Sequence, residues 1–432
     1  MSNKLSHIVH TIEACIPCSI VNFYRTQKVE WRKYIHQRWY LRKVMALKKL
    51  NRPINVVYLA IFESVWKYDY LYQLMQNDSR FNPIVLVCPQ VSLEKSKMLD
   101  VLNETFLYYK RKGYNVVSSY DVQKKHFINL SLLKPDVIMF TNPYKGMTLN
   151  KYYIDRIRNA LTCYISYYYP KGISGYHHVL KPFECQLWMN FIVSKTDYNN
   201  VDYKDNCKIV GYPMYEAFKM GSQEGVNWKS TNNKCIKIVW APYHNLYKNE
   251  VTYIQQSTFL KYAKLMLLIS QKYVNSIQMV FKPHPRLREV LEQHPEWGKV
   301  KTDEYYNKWK NGVNTNLVEG EYVDLFTTSD AMIHDCGSFA VEYLYVDKPV
   351  MYLAYDEDYL NHIEPLGVEA LDCHEIGFEE KDIEMFVKNI IDGNVDPKKE
   401  KRKAFIEKYL LPPNGLTASE NMLNEIVKEL KL

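Results

Sequence analysis

From Ile54 onward, the chain alternates short, continuously apolar segments with segments of helical spacing. Strands that are apolar on both faces are typical of parallel sheets covered by helices on both sides, and alternating strands and helices build such sheets. The predicted strands are Ile54–Ala60, Ile84–Cys88, Tyr114–Ser118, Asp136–Phe140, Leu161–Tyr167 and Lys208–Gly211 in a first series, and Ile236–Trp240, Ile277–Phe281, Ala331–His334 and Val350–Leu353 in a second. The alternation therefore predicts an α/β fold.

The two series have similar lengths and are separated by a polar, glycine-containing stretch, residues 219–234. We expect a basic helical segment at 1–53, an N-terminal Rossmann-like acceptor domain at 54–218, a C-terminal Rossmann-like nucleotide-donor domain at 235–393, and C-terminal helices at 394–432. Two Rossmann-like domains facing a cleft form the GT-B architecture, which is the fold class that we predict here.

The composition limits the kind of protein. With 432 residues, 47% of them hydrophobic, the chain can bury full cores, and its net charge of +8 permits an acidic or phosphorylated partner without requiring nucleic acid. The nine cysteines are scattered through apolar contexts, which is typical of a reduced cytoplasmic protein. Cys15 and Cys18 form one C-x-x-C pair, but no second pair stands at the spacing of a zinc site, so we expect no metal. We also expect no cofactor. Neither a signal peptide nor a membrane-spanning segment is predicted.

Residues 22–52 carry ten lysines and arginines against the single acidic residue Glu30, with aromatic and aliphatic residues at helical spacing between them. A basic helix of this kind can lie on an anionic membrane surface. The alternative is a solvated basic helix that packs on its own domain. The segment therefore leaves open a peripheral position on the inner face of the cell membrane.

The first loop of chemical interest, Lys282 to Arg286, directly follows the strand Ile277–Phe281. Prolines on both sides of His284 restrict its backbone, and Lys282 and Arg286 flank it with permanent charge. This arrangement suits a diphosphate, whose charge must be met by positioned donors. The alternative is a surface turn with incidental basic residues.

A second loop, His334 to Ser338, follows another predicted strand and precedes a helix expected at Phe339–Tyr345. Gly337 permits close backbone approach, and Ser338 stands where a helix cap belongs, so the loop could present N–H groups to a phosphate. Glu342 lies one turn into the helix, where it could accept ribose hydroxyls. An ordinary capped turn is the alternative. In a parallel sheet, both loops open on the same edge.

Three further segments could contribute. His244 follows the strand Ile236–Trp240 and could reach the same phosphates, or it could be a structural histidine. Glu63 follows the first strand and could deprotonate an acceptor hydroxyl, or it could only favour the helix that begins there. The tyrosine-rich segment containing Tyr168, Lys171 and His177 suggests an acceptor-binding loop, with a tyrosine-rich core strand as the alternative.

Taken in order, these residues resemble the bacterial CDP-glycerol glycerophosphotransferases, the polymerases and primases of teichoic-acid synthesis. The matching residues are Phe281-Lys282-Pro283-His284-Pro285, Asp324-Leu325-Phe326, Ser329-Asp330, Asp335 to Ser338, Glu342 and Lys348-Pro349. The resemblance spans about residues 54–390 and is strongest from Trp240 to Leu353. It implies a GT-B fold, a CDP-alcohol donor, and transfer of a phosphoalcohol to a membrane-linked glycan or polyol-phosphate acceptor. It also implies that His284 and Ser338 hold the donor diphosphate.

Two departures from the family pattern leave the catalytic base open. The family usually carries Trp-His-Gly in its N-terminal half, with the histidine as base, whereas Tyr167 to Gly172 contains no histidine. The segment Asp335 to Ser338 also differs from the usual Asp-Tyr-Ser-Ser. Glu63 or His177 could serve as base, or a different donor could be used.

The preferred hypothesis is a cytoplasmic transferase for cell-surface polymer or capsule synthesis. His284, Glu63 and His244 are its candidate catalytic residues. The expected nucleotide- and phosphate-binding residues are Lys282, Arg286, Asp335, Gly337, Ser338 and Glu342. The first alternative is an inverting GT-B glycosyltransferase that uses a nucleotide sugar. The second is a non-enzymatic membrane-surface module of an export complex. A nucleotide-sugar 2-epimerase would need catalytic carboxylates that the sequence does not identify.

Overall fold

The structure is a computed structural model that describes residues 18–169, 182–201, 203–220, 228–229, 235–247, 257–361 and 363–432, with side chains from residue 31 onward. Two large parallel sheets organise it, one of seven strands and one of six, beside a small antiparallel pair. We call the part built on the seven-stranded sheet the N-lobe and the part built on the six-stranded sheet the C-lobe. The α/β fold class with two Rossmann-like halves is confirmed.

The N-lobe sheet has the strand order β3-β2-β1-β6-β7-β8-β9. Its strands are β1 (Ile54–Ala60), β2 (Phe81–Val87), β3 (Val116–Ser118), β6 (Val137–Phe140), β7 (Leu161–Ile165), β8 (Met189–Ile192) and β9 (Cys207–Ile209), and the small pair is β4 (Tyr120–Asp121) with β5 (His126–Phe127). The helices of this half are α1 (Cys18–Leu47), α2 (Asp69–Gln76), α3 (Lys95–Arg111), α4 (Lys195–Asn200) and α5 (Met214–Lys219). The central position of β1 places the loop after it at the middle of the sheet edge.

The C-lobe repeats the same topology, with the strand order β12-β11-β10-β13-β14-β15. Its strands are β10 (Ile236–Ala241), β11 (Ile277–Phe281), β12 (Thr315–Leu317), β13 (Ala331–His334), β14 (Val350–Leu353) and β15 (Glu375–Gly377). The helices are α6 (Phe259–Lys272), α7 (Leu287–Gln293), α8 (Gly298–Asn311), α9 (Val323–Thr328), α10 (Phe339–Glu342), α11 (Pro365–Leu371), α12 (Glu380–Ile391), α13 (Lys399–Phe405) and α14 (Ala418–Leu430). The central strand β10 pairs with β11 on one side and with β13 on the other.

Both faces of each sheet are buried, as continuous apolar strands require. In β1, Val56 and Tyr58 join one hydrophobic core, while Val57 and Leu59 join the core on the opposite face. A further core joins the lobes, because Tyr169 packs in the same cluster as C-lobe side chains such as Val239. Alternate residues of a strand point to opposite faces, so one short segment serves two cores.

The first and the last described helices both pack on the N-lobe. Tyr40 and Leu47 of α1 lie in its core, and so do Met422 and Ile426 of α14. The chain therefore crosses back from the C-lobe before it ends, so the last of the helices expected at 394–432 completes the N-lobe.

Most predicted strands form with bounds that differ by a few residues, while some elements were missed. Strands β8, β12 and β15 were not predicted. The helix expected at Phe339–Tyr345 is shorter, because α10 ends at Glu342 and a 3-10 turn covers Tyr343–Val346. Most of the predicted linker at 219–234 lies outside the described residues.

Candidate active site

Three C-lobe loops emerge side by side at the carboxyl edge of the sheet. They follow β10, β11 and β13, whose last residues pair in register as Trp240 with Phe281 and Ala241 with His334. The loop after β11 stays attached to the loop after β10, because the His284 amide donates to the Pro242 carbonyl at 3.0 Å. The sheet edge therefore brings together the two loops singled out in the sequence, with His244 on the loop between them.

His244 and His284 form a stacked imidazole pair. Their ring centroids are 4.0 Å apart with an interplanar angle of 25°, and Tyr243 packs edge-on against His284 at 4.9 Å. The backbone N–H of Arg286 donates to His284 Nδ1 at 3.2 Å. A neutral imidazole whose Nδ1 accepts carries its proton on Nε2, so the free nitrogen of His284 is a donor. Among the described residues, His244 Nδ1 is buried without a hydrogen-bond partner.

The imidazole pair is uncharged at neutral pH. Burial lowers the pKa of His284 to about 3, with further lowering by His244, Lys282 and Arg286. Burial and the charge of Arg286 lower the pKa of His244 to about 4. An anion placed against these rings would favour their charged forms and raise both pKa values. The pair can therefore donate a hydrogen bond to a phosphate and take up a proton when one binds.

Lys282 adds a buried cation beside the pair. Only 3% of its surface is exposed, and burial lowers the pKa of its ammonium group to about 8, although the charge of Glu319 offsets part of this cost. No acceptor for its Nζ is found in the part of the chain that the structure describes. Buried ammonium groups are normally paired, so a lysine without a partner indicates a site for an anionic ligand. Arg286 is exposed at the rim of the same loop.

Asp335 does not face the solvent. It is buried, and its carboxylate accepts from the Tyr243 amide at 2.5 Å, the Thr258 amide at 2.5 Å, the Thr258 hydroxyl at 2.8 Å and the Ser257 hydroxyl at 3.3 Å. These bonds tie the loop after β13 to the loop after β10 and to the start of α6. Burial raises the pKa of this carboxyl group despite these donors. The direct phosphate contact predicted for Asp335 stays a prediction, whereas its contacts in the structure position the loops.

The Ser338 hydroxyl does not cap α10. Ser338 stands at the cap position with helical backbone angles, φ −66° and ψ −35°, and its side chain makes no capping bond. Its Oγ instead shares a hydrogen bond with the Sγ of Cys336 at 3.4 Å, and Gly337 between them is buried. The capping role expected for Ser338 is therefore absent. That Gly337 and Ser338 bind phosphate stays a prediction.

Glu342 is already engaged within the protein. It is 1% exposed, and its two carboxylate oxygens accept from the hydroxyls of Tyr212 at 2.6 Å and Tyr322 at 2.5 Å. Lys67 of the N-lobe donates to the Tyr322 hydroxyl at 3.2 Å. The ribose contact predicted for Glu342 stays a prediction. Sequence reasoning missed its partners Tyr212 and Tyr322, and Lys67 behind Tyr322, because tyrosine and lysine carry no distinctive local pattern there.

The N-lobe presents tyrosines to the cleft. Tyr167 and Tyr168 follow β7 with ring centroids 5.0 Å apart, and burial raises the pKa of both hydroxyls. Tyr243, from the C-lobe, is among the further neighbours that raise the pKa of Tyr167, so the two lobes face each other here. Lys171 and His177, the other predicted acceptor-binding residues, lie outside the described residues.

Glu63 lies in another part of the cleft. It begins the 3-10 turn Glu63–Val65 after β1 and lines a cavity of about 350 Å³ between the lobes, together with Lys67, Glu321 and Tyr322. No described contact joins Glu63 to the imidazole pair, so its role as base stays a prediction. Among the described residues, no group of three His, Cys, Asp or Glu side chains could hold a metal ion.

The fold and the site define a class: two Rossmann-like lobes that face a cleft, with the cation Lys282 and two histidines at one edge of the C-lobe sheet, as in GT-B transferases. The sequence profile of the CDP-Glycerol:Poly(glycerophosphate) glycerophosphotransferase family matches residues 200–428, which is more than half of the chain. The chain belongs to this family and is a transferase, which confirms the resemblance. The non-enzymatic alternative is therefore not retained.

Solved structures confirm the fold. A variant of the wall teichoic acid polymerase TagF aligns with a TM-score of 0.57 at 12% identity, over 95% of this chain and 98% of that chain. A TagF variant soaked with CDPG aligns with a TM-score of 0.53 at 12% identity, over 95% and 98% of the two chains. The MnaA–UDP complex from S. aureus aligns with a TM-score of 0.52 at 14% identity, over 88% and 97%. A search of curated protein sequences found no significant match. At these identities the likeness concerns the fold alone.

Proposed function

We propose that this transferase moves glycerol phosphate, or a similar phosphoalcohol, from a CDP-alcohol to a hydroxyl of a membrane-linked glycan or polyol-phosphate acceptor. The acceptor oxygen attacks the β-phosphorus, the bond to the bridging oxygen of the donor breaks, and CMP leaves. The product is a new phosphodiester in a cell-surface polymer such as a teichoic acid or capsule. The family match supports this reaction type, and the TagF structure soaked with CDPG supports the donor.

The observation that carries the proposal is the grouping of Lys282, His284 and His244 at one sheet edge, beside the turn of Ser338. Charge builds on the leaving phosphate during transfer, and positioned donors stabilise it most effectively in a site from which water is excluded. His284 Nε2–H, the Lys282 ammonium group and the Ser338 hydroxyl are the donors that we assign to the diphosphate.

In this proposal the acceptor binds on the N-lobe side of the cleft, where it would contact Tyr168, Lys171 and His177. The hydroxyl proton must pass to a base as the new bond forms. Glu63 and His177 are the two candidates for this base, and Glu63→Gln with His177→Asn would separate them. A base variant should lower kcat strongly while leaving CDP-glycerol binding intact.

His284→Ala tests the donor site. Loss of the imidazole should lower kcat by about 100-fold or more, because positioned donors at a developing oxyanion are typically worth that much. His294→Ala is the matched control. His294 Nδ1 accepts a hydrogen bond from the Glu296 amide, also at 3.2 Å, and His294 lies at the C-terminal end of α7, away from the loop of His284. CMP release from CDP-glycerol would be measured for both variants. Near-normal turnover in a folded His284→Ala protein would contradict the assignment.

A nucleotide sugar remains the alternative donor, because the segment that begins at Tyr167 lacks the histidine of the family pattern. Thermal protection by CDP-glycerol, CDP-ribitol and UDP-sugars would identify the donor. Protection by a UDP-sugar alone would favour an inverting GT-B glycosyltransferase.

We further propose that α1 holds the protein against the anionic inner face of the membrane. Its inner side packs on the N-lobe, where the Tyr40 hydroxyl lies 2.6 Å from Thr162 Oγ1. Its outer side exposes Trp31, 67% accessible, and Leu41, 66% accessible. The further exposed side chains of this face are Tyr34, Arg38, Arg42 and Met45. Apolar and basic side chains interleaved on one face suit a surface of anionic lipid headgroups. Among the described residues, no helix is long and apolar enough to cross a membrane.

Surface substitution tests this better than deletion, because removing α1 would also remove Tyr40 and Leu47 from the core. Trp31→Ser with Leu41→Ser, and separately Arg38→Glu with Arg42→Glu, should weaken flotation with phosphatidylglycerol-containing vesicles. Lys124→Glu, exposed on the hairpin turn, is the control. Equal binding of the intact protein to phosphatidylcholine and phosphatidylglycerol vesicles would count against the proposal.

A further inference from the structure

A single buried carboxylate links the two lobes through two tyrosines. Glu342 accepts from Tyr212 at 2.6 Å and from Tyr322 at 2.5 Å, and Tyr322 in turn accepts from Lys67 at 3.2 Å. Lys67 follows the first N-lobe strand, and Tyr322 precedes α9 in the C-lobe. Tyr212 lies in the connection that leaves the N-lobe sheet after β9. The Glu342 carboxylate therefore contacts both places where the lobes meet: one oxygen bonds to Tyr212, and the other bonds to Tyr322, which contacts Lys67.

Charge and burial make this contact chain costly to break. Lys67 is 8% exposed, and Glu342 is among the charges that stabilise its ammonium group against the lowering of its pKa by burial. Tyr212 and Tyr322 are deeply buried at their hydroxyls, whose pKa values are raised well above the ordinary range by burial and by Glu342. The bonds from Lys67 to Tyr322 and from Tyr212 to Glu342 form only while the lobes stay in register. A relative shift of the lobes would leave a buried charge or hydroxyl unpaired.

The contact chain also begins and ends at the proposed reaction site. The Glu342 amide donates to the Ser338 carbonyl at 3.0 Å, so Glu342 stands one helical turn above the donor turn. At the other end, the Tyr212 hydroxyl lies 3.2 Å from the carbonyl of Tyr167, next to the proposed acceptor residue Tyr168. Between the two ends there is one carboxylate and one tyrosine side chain. Any movement of the donor turn is therefore transmitted to the acceptor side through two side chains.

The connection through Tyr212 is also sterically fixed. Gly211, directly before it, has φ +95°, and a Cβ atom there would lie 2.6 Å from Cβ of Pro412. Only glycine adopts such a conformation readily, and the close approach of Pro412 leaves no room for a side chain, so this connection requires glycine before Tyr212.

We propose that Lys67, Tyr212, Tyr322 and Glu342 form an interlobe tie that sets the distance between the donor phosphate and the acceptor hydroxyl. They are positioning residues: they act through the Ser338 turn and the Tyr167–Tyr168 segment. The role of the tie in transfer rests on the proposed function, whereas its role in holding the lobes does not. Because in-line transfer needs reacting atoms held within a fraction of an ångström, loosening the tie lowers turnover more than donor affinity.

The test compares three tyrosine-to-phenylalanine variants that each remove one buried hydroxyl. Tyr212→Phe and Tyr322→Phe cut one arm of the tie each. Tyr343→Phe is the matched control, because the Tyr343 hydroxyl bonds to Ser329 Oγ at 2.8 Å entirely within the C-lobe. CDP-glycerol affinity would be measured by calorimetry, and kcat and acceptor KM by CMP release. Small-angle scattering would report the arrangement of the lobes without requiring any reaction.

We expect Tyr212→Phe and Tyr322→Phe to lower kcat by about 10-fold or more with donor affinity changed by less than roughly twofold, while Tyr343→Phe leaves both unchanged. The two tie variants should also widen the scattering envelope. Unchanged kcat in both tie variants, or losses equal to those of Tyr343→Phe, would overturn the proposal. If the wild-type protein does not bind CDP-glycerol, the proposed function fails instead. The role of the tie in holding the lobes is then tested by scattering alone. Scattering curves of Tyr212→Phe and Tyr322→Phe that are identical to the wild-type curve would overturn it.

Discussion

Lys282 should destabilise the empty protein and stabilise its complex. Its pKa lies near 8 in the folded chain against an ordinary value of 10.5. Each pKa unit corresponds to about 1.4 kcal/mol, so the unpaired ammonium group costs the folded state about 3 kcal/mol. Because the folded-state pKa is the lower one, the unfolded chain binds the proton more tightly. The cost is fully present below about pH 8 and disappears as the pH rises toward 10.5.

Lys282→Met should therefore raise the free energy of unfolding of the ligand-free protein by about 1–3 kcal/mol at pH 7. The gain should shrink as the pH approaches 10. The same variant loses a charge-assisted hydrogen bond to the diphosphate, worth about 1.5–3 kcal/mol, so its CDP-glycerol affinity should fall about 10- to 100-fold. Chemical denaturation at several pH values and calorimetry with CDP-glycerol would measure the two effects.

Lys348→Met is the control, because Lys348 is a half-buried lysine that bonds within the protein, whereas Lys282 is expected to bind the ligand. Lys348 Nζ donates to the carbonyls of Phe326, Thr327 and Ser329 at 3.3, 2.6 and 2.5 Å, which satisfies the end of α9. Removing it leaves these acceptors unpaired and should lower stability by about 1–3 kcal/mol without changing donor affinity. If Lys282→Met behaved in the same way, destabilised and with normal donor affinity, the reasoning about Lys282 would be wrong.

Two further predictions concern protons. Donor binding should take up protons at neutral pH, because a diphosphate raises the low pKa values of His244 and His284. Affinity should therefore rise as the pH falls. Calorimetry in buffers of different ionisation enthalpy would detect the uptake, which should be smaller in His284→Ala because only His244 remains of the pair. Glu216, buried against the Ser419 amide, has its pKa raised by burial from 4.5 to about 7, so the folded state holds the proton more tightly and stability is lost as the pH rises from 4.5 through 7. Glu216→Gln should remove this loss, becoming more stable than wild type by about 1–3 kcal/mol at pH 8 but not at pH 5, whereas parallel denaturation profiles would contradict it.

The fold was predictable where strands are mostly apolar and buried. β11, β13 and β14 have the predicted bounds, because each is a mostly apolar segment followed by loop residues. β12 and β15 were missed because they are three-residue edge strands that contain polar residues. Their strand conformation comes from pairing with a neighbour, which no local pattern encodes. The crossing of α14 to the N-lobe was missed for the same reason, since helical spacing does not say which surface a helix packs on.

The candidate site was predictable only as far as it is local. Lys282, His284 and Ser338 could be named because each follows an apolar strand, and the parallel sheet places such loops together. The tie could not be predicted, because Lys67 and Tyr322 are 255 positions apart and Tyr212 and Glu342 are 130 positions apart. The burial of Asp335 could not be predicted either. The sequence around a carboxylate that follows a strand does not indicate whether that carboxylate binds a ligand or the neighbouring loop.

The two lobes present different charges to the cleft. In the C-lobe, Lys282 has no described acceptor and the stacked histidines are uncharged, so a neutral ligand would leave the ammonium group unpaired, whereas a diphosphate supplies acceptors to all three. In the N-lobe, Tyr167 and Tyr168 have raised pKa values and remain neutral donors, which suits hydroxyl groups better than a charged group. In the proposed reaction, a charged donor and a hydroxyl acceptor are thus bound by opposite lobes. Transfer between them then depends on the register of the lobes, to which the bonds of the Glu342 carboxylate with Tyr212 and Tyr322 contribute.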